Sequence, residues 1–335
     1  MIFVHELGHF LLAKASGIRV NEFALGMGPR IFKFRKKETL YALRLFPIGG
    51  FVSMEGEDTD SDDDRAFFKK PVYKRMAVVV AGAFMNILLG FIVLIVMAST
   101  ETSFASNRIA EIKNNQALTE QINIDDKIDS INGYKINIGD DIRFGISRSD
   151  PDGSVTSYDQ LTVDMVVIRD GKKIKIDNYN TFYKYTDENG NEVIDYSFRV
   201  YSEKKTVFTV VKQAFYNTLS YIKIVWISIG DLLTGRVGMN NLSGVVGVGT
   251  EMGKVASMGL QPFLSLVALI TINLGVFNLL PFPALDGGRF VFLLIEVIRR
   301  KPIKQEIEGY INAVGLALLM ILVVYVTVSD VIKLF

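Results

Sequence analysis

Met76 to Ala98 is a run of 23 residues without a charge, and no other feature narrows the possible folds as much. At 1.5 Å per residue a helix of that length crosses a hydrocarbon core of about 30 Å. Two further uncharged runs, Pro262 to Leu285 and Tyr310 to Val328, pass the same test. The first of these carries Pro281 and Pro283 near its end, which predicts that its last turn breaks into irregular backbone. In a membrane such a break is tolerated only where protein or water covers it. The N-terminal stretch is also apolar, but Lys14 arrives after about half a span. A complete first span is therefore expected to need roughly 10 to 18 more apolar residues upstream. Counting that helix, the expected fold is an α-helical polytopic membrane protein of about four spans.

Between the spans the composition changes. Phe32 and Phe34, then Tyr41, Leu43 and Leu45, alternate around a polar Arg-Lys-Lys-Glu-Thr turn and predict a β-hairpin. The acidic stretch Glu55 to Asp64 reads as a solvated loop. From Glu101 to about Lys205 short β-type runs dominate, and Asp170-Gly171 between Val166–Arg169 and Lys173–Ile176 is a strong hairpin signal. The expected organisation is residues 1–100 as an N-terminal membrane part, 101–205 as a β-rich domain outside the bilayer, and 206–335 as a C-terminal membrane part. Val207 to Gly230 is apolar but interrupted by Lys212 and Lys223. It fits either an interfacial amphipathic helix or one packed against the other helices.

Charge distribution sets the orientation. The segment from Lys14 to Arg75 holds 13 Lys and Arg and the loop from Arg289 to Lys304 holds 5, against Lys333 alone in the tail. Positive loops stay in the cytosol, which sends the β-rich domain to the far side. The 37 basic and 36 acidic residues leave a net charge of +1, so the basic footprint of a nucleic-acid binder is absent. With no Cys in the chain, thiolate catalysis and Cys-ligated metal sites are excluded, and any metal must use His and carboxylates.

The chain's only two histidines, His5 and His9, lie four apart with Glu6 between them. On a helix both imidazoles share one face and can ligate a Zn²⁺, while Glu6 reaches a water beside it. A catalytic zinc takes three protein ligands. The best-placed third ligand is Asp286, at the end of an uncharged run and three residues before Arg289, at a depth matching that of His9 above Lys14. Gly287 and Gly288 beside it allow close backbone approach. Asp286 as a simple helix-end cap is the alternative.

His5-Glu-Leu-Gly-His9 together with Asn278-Leu-Leu-Pro-Phe-Pro-Ala-Leu-Asp-Gly-Gly-Arg289 resembles the site-2 proteases, intramembrane zinc metalloproteases, and in particular their bacterial branch with a PDZ domain. The likeness continues through Gly26-Met-Gly-Pro29, Pro47 to Val52, Arg75 to Asn86 and Asn240 to Gly244. It implies that 101–205 is an inserted PDZ-like domain and that the hairpin is membrane-associated. It further implies proteolysis of single-span membrane proteins of the anti-sigma-factor type, signal-peptide remnants being further substrates, at a bacterial plasma membrane. Zinc on His5, His9 and Asp286 would polarise the scissile carbonyl, with Glu6 as general base and acid. Asn278 would hydrogen-bond substrate or oxyanion, or else join helices. Two other classes remain to be set against it: an inactive scaffold, expected to lose Glu6, and a metal transporter, expected to carry ligands through several spans.

Overall fold

A computed structural model describes residues 1–57, 61–113, 121–152, 155, 161–187, 191–239 and 242–333. The chain divides into two compact units, Met1–Val93 with Ser243–Phe335, and Leu94–Leu242.

In the first unit α1 (Ile2–Ala15) leads into two long strands, β1 (Val20–Lys36) and β2 (Thr39–Met54). Turn and flanking strands sit where the alternation places them, but each strand bends midway. Gly26, Gly28 and Gly49 take positive φ at the bends, which only glycine adopts without strain. As a result Phe23, Ala24 and Leu25 face Val52, Phe51 and Gly50 on one side and Tyr41, Ala42 and Leu43 on the other. The hairpin is thereby doubled on itself, with residues 50–54 along one edge. Glu22, buried, takes the guanidinium of Arg30 at 2.6 Å and that of Arg44 at 2.7 Å and holds the bend. The acidic stretch is less idle than a solvated loop: Glu55 accepts from Asn21 and Ser61, and Asp63 from Arg19, while residues 58–60 lie outside the described ones.

The long helix α2 (Val72–Thr100) carries the first uncharged run. Later come α5 (Val245–Ser257), α6 (Leu260–Asn278), α7 (Asp286–Arg299) and α8 (Gln305–Lys333). Among the described residues three helices, α2, α6 and α8, could cross a membrane by length and composition, where about four spans were expected. The fourth, α1, has 14 residues, some 21 Å at helical rise. The proline pair has the expected effect: α6 ends at Asn278, and Leu279 to Leu285 turn irregularly before α7. Arg289 to Lys304, expected as a loop, is mostly α7. Arg75, 3% exposed, grips Glu296 on α7 with two nitrogens and fixes that helix to the start of α2.

The second unit contains the last turns of α2, a six-stranded sheet and two helices. The strands are β3 (Ser103–Ile112), β4 (Lys127–Ile131), β5 (Tyr134–Lys135), β6 (Thr162–Arg169), β7 (Lys172–Asn180) and β10 (Phe198–Lys204). Their order is β10-β3-β4-β6-β7, with β5 on β4. β8 (Phe182–Thr186) and β9 (Glu192–Tyr196) form a separate hairpin. The Asp170-Gly171 turn joins β6 to β7 as predicted. Alternate residues Ile128, Met165, Val167 and Tyr179 are fully buried and close the core against α3 (Asp140–Ser147). The chain then enters α4 (Val207–Leu233), which opens with a reciprocal Thr206/Thr209 cap. By its contacts α4 falls in this unit.

Candidate metal centre

One face of α1, the middle of α2 and the first residue of α7 converge. His5 Nε2 and His9 Nε2 lie 3.2 Å apart, and each is 3.3 Å from Asp286 Oδ2. Two imidazole nitrogens and a carboxylate oxygen in a near-equilateral triangle fit a single cation. A tetrahedral zinc with bonds of about 2.0–2.1 Å keeps its ligand atoms about 3.3 Å apart. Asp286 Oδ2 is buried and, the two imidazoles aside, has no hydrogen-bond partner among the described residues. No other such cluster of His, Asp and Glu occurs among the described residues. Asp286 opens α7 but its side chain turns to the histidines, and no side-chain cap is formed there.

The fold fits its backbone around these groups. A Cβ at Gly82 of α2 would stand 2.7 Å from His5 Cε1 and still closer to His9 Nε2. A Cβ at Gly287 or Gly288 would run into the carbonyls of Leu280 and Phe282 in the proline-broken segment. That segment is strained as well as tight. Ala284 has φ of 71°, in the left-handed region unusual for a residue with a Cβ, and its amide donates to Asn312 Oδ1 of α8 at 3.0 Å. The break in α6 therefore delivers Asp286 under constraint from α8.

His9 Nδ1 lies 2.8 Å from the carbonyl of Val78. A proton on Nδ1 makes this bond and leaves the Nε2 lone pair for the metal. His5 Nδ1 is flanked by the amides of Asn86, at 3.4 Å, and Asn278, at 3.5 Å. Asn86 is fully buried and its Oδ1 has no partner among the described residues. Turned over, that amide would accept the Nδ1 proton and set His5 as Val78 sets His9. No spacing in the sequence ties Asn86 to the histidines; only its proximity in space to His5 reveals it. Asn278 lies against the same imidazole and is not among the residues lining the cavity described next.

The triangle opens on a cavity of about 470 Å³ lined by His5, Glu6, His9, Asp286, Arg289 and the consecutive residues Gly50 to Met54. Glu6 is packed close to the backbone of Gly50. Glu57, just past β2, pairs with Arg289 at the cavity wall. These two were not foreseen as neighbours of the site.

Residues 1–322 match Peptidase family M50. A Clostridium perfringens protein that carries zinc metalloprotease as a provisional name is 37% identical over 335 residues, covering 99% of this chain and 95% of the relative. The regulator of sigma-W protease RasP of Bacillus subtilis is 30% identical over 419 residues, covering all of this chain and 96% of the relative. The zinc metalloprotease RasP of Bacillus licheniformis is likewise 30% identical, over 100% of this chain and 97% of its own length.

Proposed function

The chain belongs to Peptidase family M50, and from that premise we propose that it is a zinc peptidase cleaving membrane-spanning segments of single-span proteins. The observation that carries the reading is the triangle of His5, His9 and Asp286 with Glu6 in the same cavity. Zinc bound there supplies a Lewis acid for the scissile carbonyl and makes water a nucleophile near neutral pH. Glu6 takes the proton of the attacking water and delivers it to the leaving amine. His9, oriented by the Val78 carbonyl, and His5, between Asn86 and Asn278, hold their Nε2 atoms toward the cation. Asn278 is then a positioning residue for His5, or a donor to substrate as it approaches that imidazole.

A helical substrate has its peptide bonds locked in hydrogen bonds and must unwind to be cut. Gly50 to Met54 line the cavity, and their outer edge pairs with no strand among the described residues. An unwound substrate can add to that edge as a further strand. Residues 50–54 suit this better than the Phe32 to Leu45 part of the hairpin, because they line the cavity beside His5, His9 and Asp286.

One relative is named a regulator of sigma-W protease, and that name supports anti-sigma factors in the bacterial plasma membrane as the proposed targets. We assign 101–205 as a PDZ-like extracytoplasmic domain that filters substrates by size, and the metal centre to the cytosolic side, on the positive charge of the flanking loops. Asn240, Asn241 and most of residues 153–160 lie outside the described residues.

The test is metal analysis of the purified protein beside cleavage of a transmembrane peptide. Glu6→Gln is expected to abolish cleavage with zinc still bound, since Glu6 moves protons and is not a ligand. Loss of zinc in that variant would overturn the assignment. Asp286→Asn is expected to lower zinc occupancy and activity together; full occupancy with normal turnover would place the third ligand elsewhere.

A further inference from the structure

Helix α4 is amphipathic in the inverted sense. Its polar residues face the protein: Gln213, Asn217 and Ser220, all under 7% exposed, meet α3. Gln213 Nε2 and Asn217 Nδ2 donate to Asp140 Oδ2 at 2.8 and 3.0 Å, Ser220 Oγ donates to Asp141, and Asp231 pairs with Arg148 just past α3. The opposite face is apolar and bare. Phe208 is 76% exposed, Phe215 50% and Trp226 48%, with Val211 between them. At 100° per residue Phe208, Val211, Phe215, Ile222 and Trp226 fall within roughly 60° of arc, about opposite the polar seam. A soluble domain has no reason to fasten a helix by its polar side and leave that stripe in water.

We propose that the α4 stripe lies flat in the headgroup zone of the bilayer, so that phospholipid is its partner. Three observations select lipid. The start of α4 is fixed to the end of a spanning helix: Val210 packs with Ala98 and Ile95 of α2 and with Phe104, and Lys205 Nζ donates to the Ser99 carbonyl. The uncharged run of α2 ends at Ala98, so α4 begins at a membrane boundary. Further along, Lys223 has no acidic partner among the described residues and its ammonium lies 5.6 Å from the Tyr134 ring centre. It borders a cavity of about 520 Å³ shared with Arg148, Lys135 and Trp226. Arg148 and Lys135 there are paired with Asp231 and Asp129, so Lys223 is the lysine left beside Trp226, and a tryptophan next to such a lysine is the composition of a headgroup-level anchor. Finally, the four-point polar seam holds α4 rigidly to α3, so the domain and its lipid-facing stripe are one body. The proposal rests on α2 crossing the bilayer and does not depend on the zinc chemistry.

Trp226 is the chain's only tryptophan, so its emission reports the stripe directly. It lies about 28 Å along α4 from Val207, far enough to leave the interface if the helix rose into water or dived into the core. The whole protein is reconstituted in vesicles whose lipids carry bromine either near the headgroup or near the chain end, and iodide is added outside. The expected result is a blue-shifted emission, a larger loss with shallow than with deep bromine, and little loss with iodide. Strong iodide quenching, deep quenching, or quenching by neither would each overturn the proposal, as a water-facing, a spanning or a protein-covered face respectively. Moving the reporter three turns along the stripe, with W226F combined with F215W, should give the same shallow depth; a different depth would exclude a flat helix. Resistance of the protein to alkaline carbonate extraction reads separately whether the chain is integrated in the bilayer at all.

Discussion

The position most sensitive to a single atom is Gly82. A Cβ at Gly287 or Gly288 would meet backbone carbonyls, whereas a Cβ at residue 82 is aimed by the α2 backbone at the two imidazoles themselves. Alanine is the better helix former by about 1 kcal/mol, so a change made for stability alone would favour it. Gly82→Ala is expected to leave the helix intact and to push His5 and His9 apart. Zinc occupancy should fall, with helical content by circular dichroism unchanged; wild-type occupancy would mean that the histidines have room to retreat. The residues of the triangle were legible in the sequence, because His5 and His9 are the only histidines and their spacing sets a shared face. Gly82, Asn86, Glu57 and Arg289 were not legible as site residues. They lie between 48 positions (Glu57 from His9) and 284 positions (Arg289 from His5) away from the histidines, and a glycine's role lies in the space it leaves.

Among elements, α4 was the one the sequence left open, between an interfacial helix and a packed one. Lys212 and Lys223 gave no decision, since the deciding residues are uncharged. Gln213, Asn217 and Ser220 look unremarkable in a linear reading, yet they share the face that meets Asp140 and Asp141. Asp140→Ala removes the acceptor of two amides, each 5–6% exposed on the residue scale. A buried donor left unpaired costs about 1–3 kcal/mol. The variant is expected to lose a few degrees in thermal unfolding and to gain proteolytic cleavage within α4, while zinc occupancy stays at the wild-type level. Stability equal to wild type would show that water replaces the carboxylate without loss. The hairpin teaches a related lesson. Its turn and flanking alternation were readable, but the fold-back that puts Gly50 to Met54 along the outer edge depends on Gly26, Gly28 and Gly49 adopting positive φ, which punctuation alone did not convey.

For the whole molecule the decisive question is sidedness, which follows from charge and not from packing. Lys14 to Arg75 and Arg289 to Lys304 carry 13 and 5 basic residues, and holding such segments in the cytosol avoids moving them across the membrane. Several of these charges are paired on the spot, Lys14 and Arg65 with Glu38 and Arg19 with Asp63, so they belong to a folded surface whose transfer would cost more than that of free side chains. Under the proposed orientation that side is cytosolic, α2 carries the chain across once before β3 begins, and the β-rich domain emerges opposite. Asp152, exposed in the turn after α3, offers a reporter, and the absence of native Cys leaves it without background. Asp152→Cys is expected to react with a membrane-impermeant maleimide in intact cells whose outer barrier is open to it. The complementary reporter Asp62→Cys, in the acidic stretch after β2, should react only after lysis. Labelling in the reverse order would invert the topology and place the zinc centre on the outer side of the membrane.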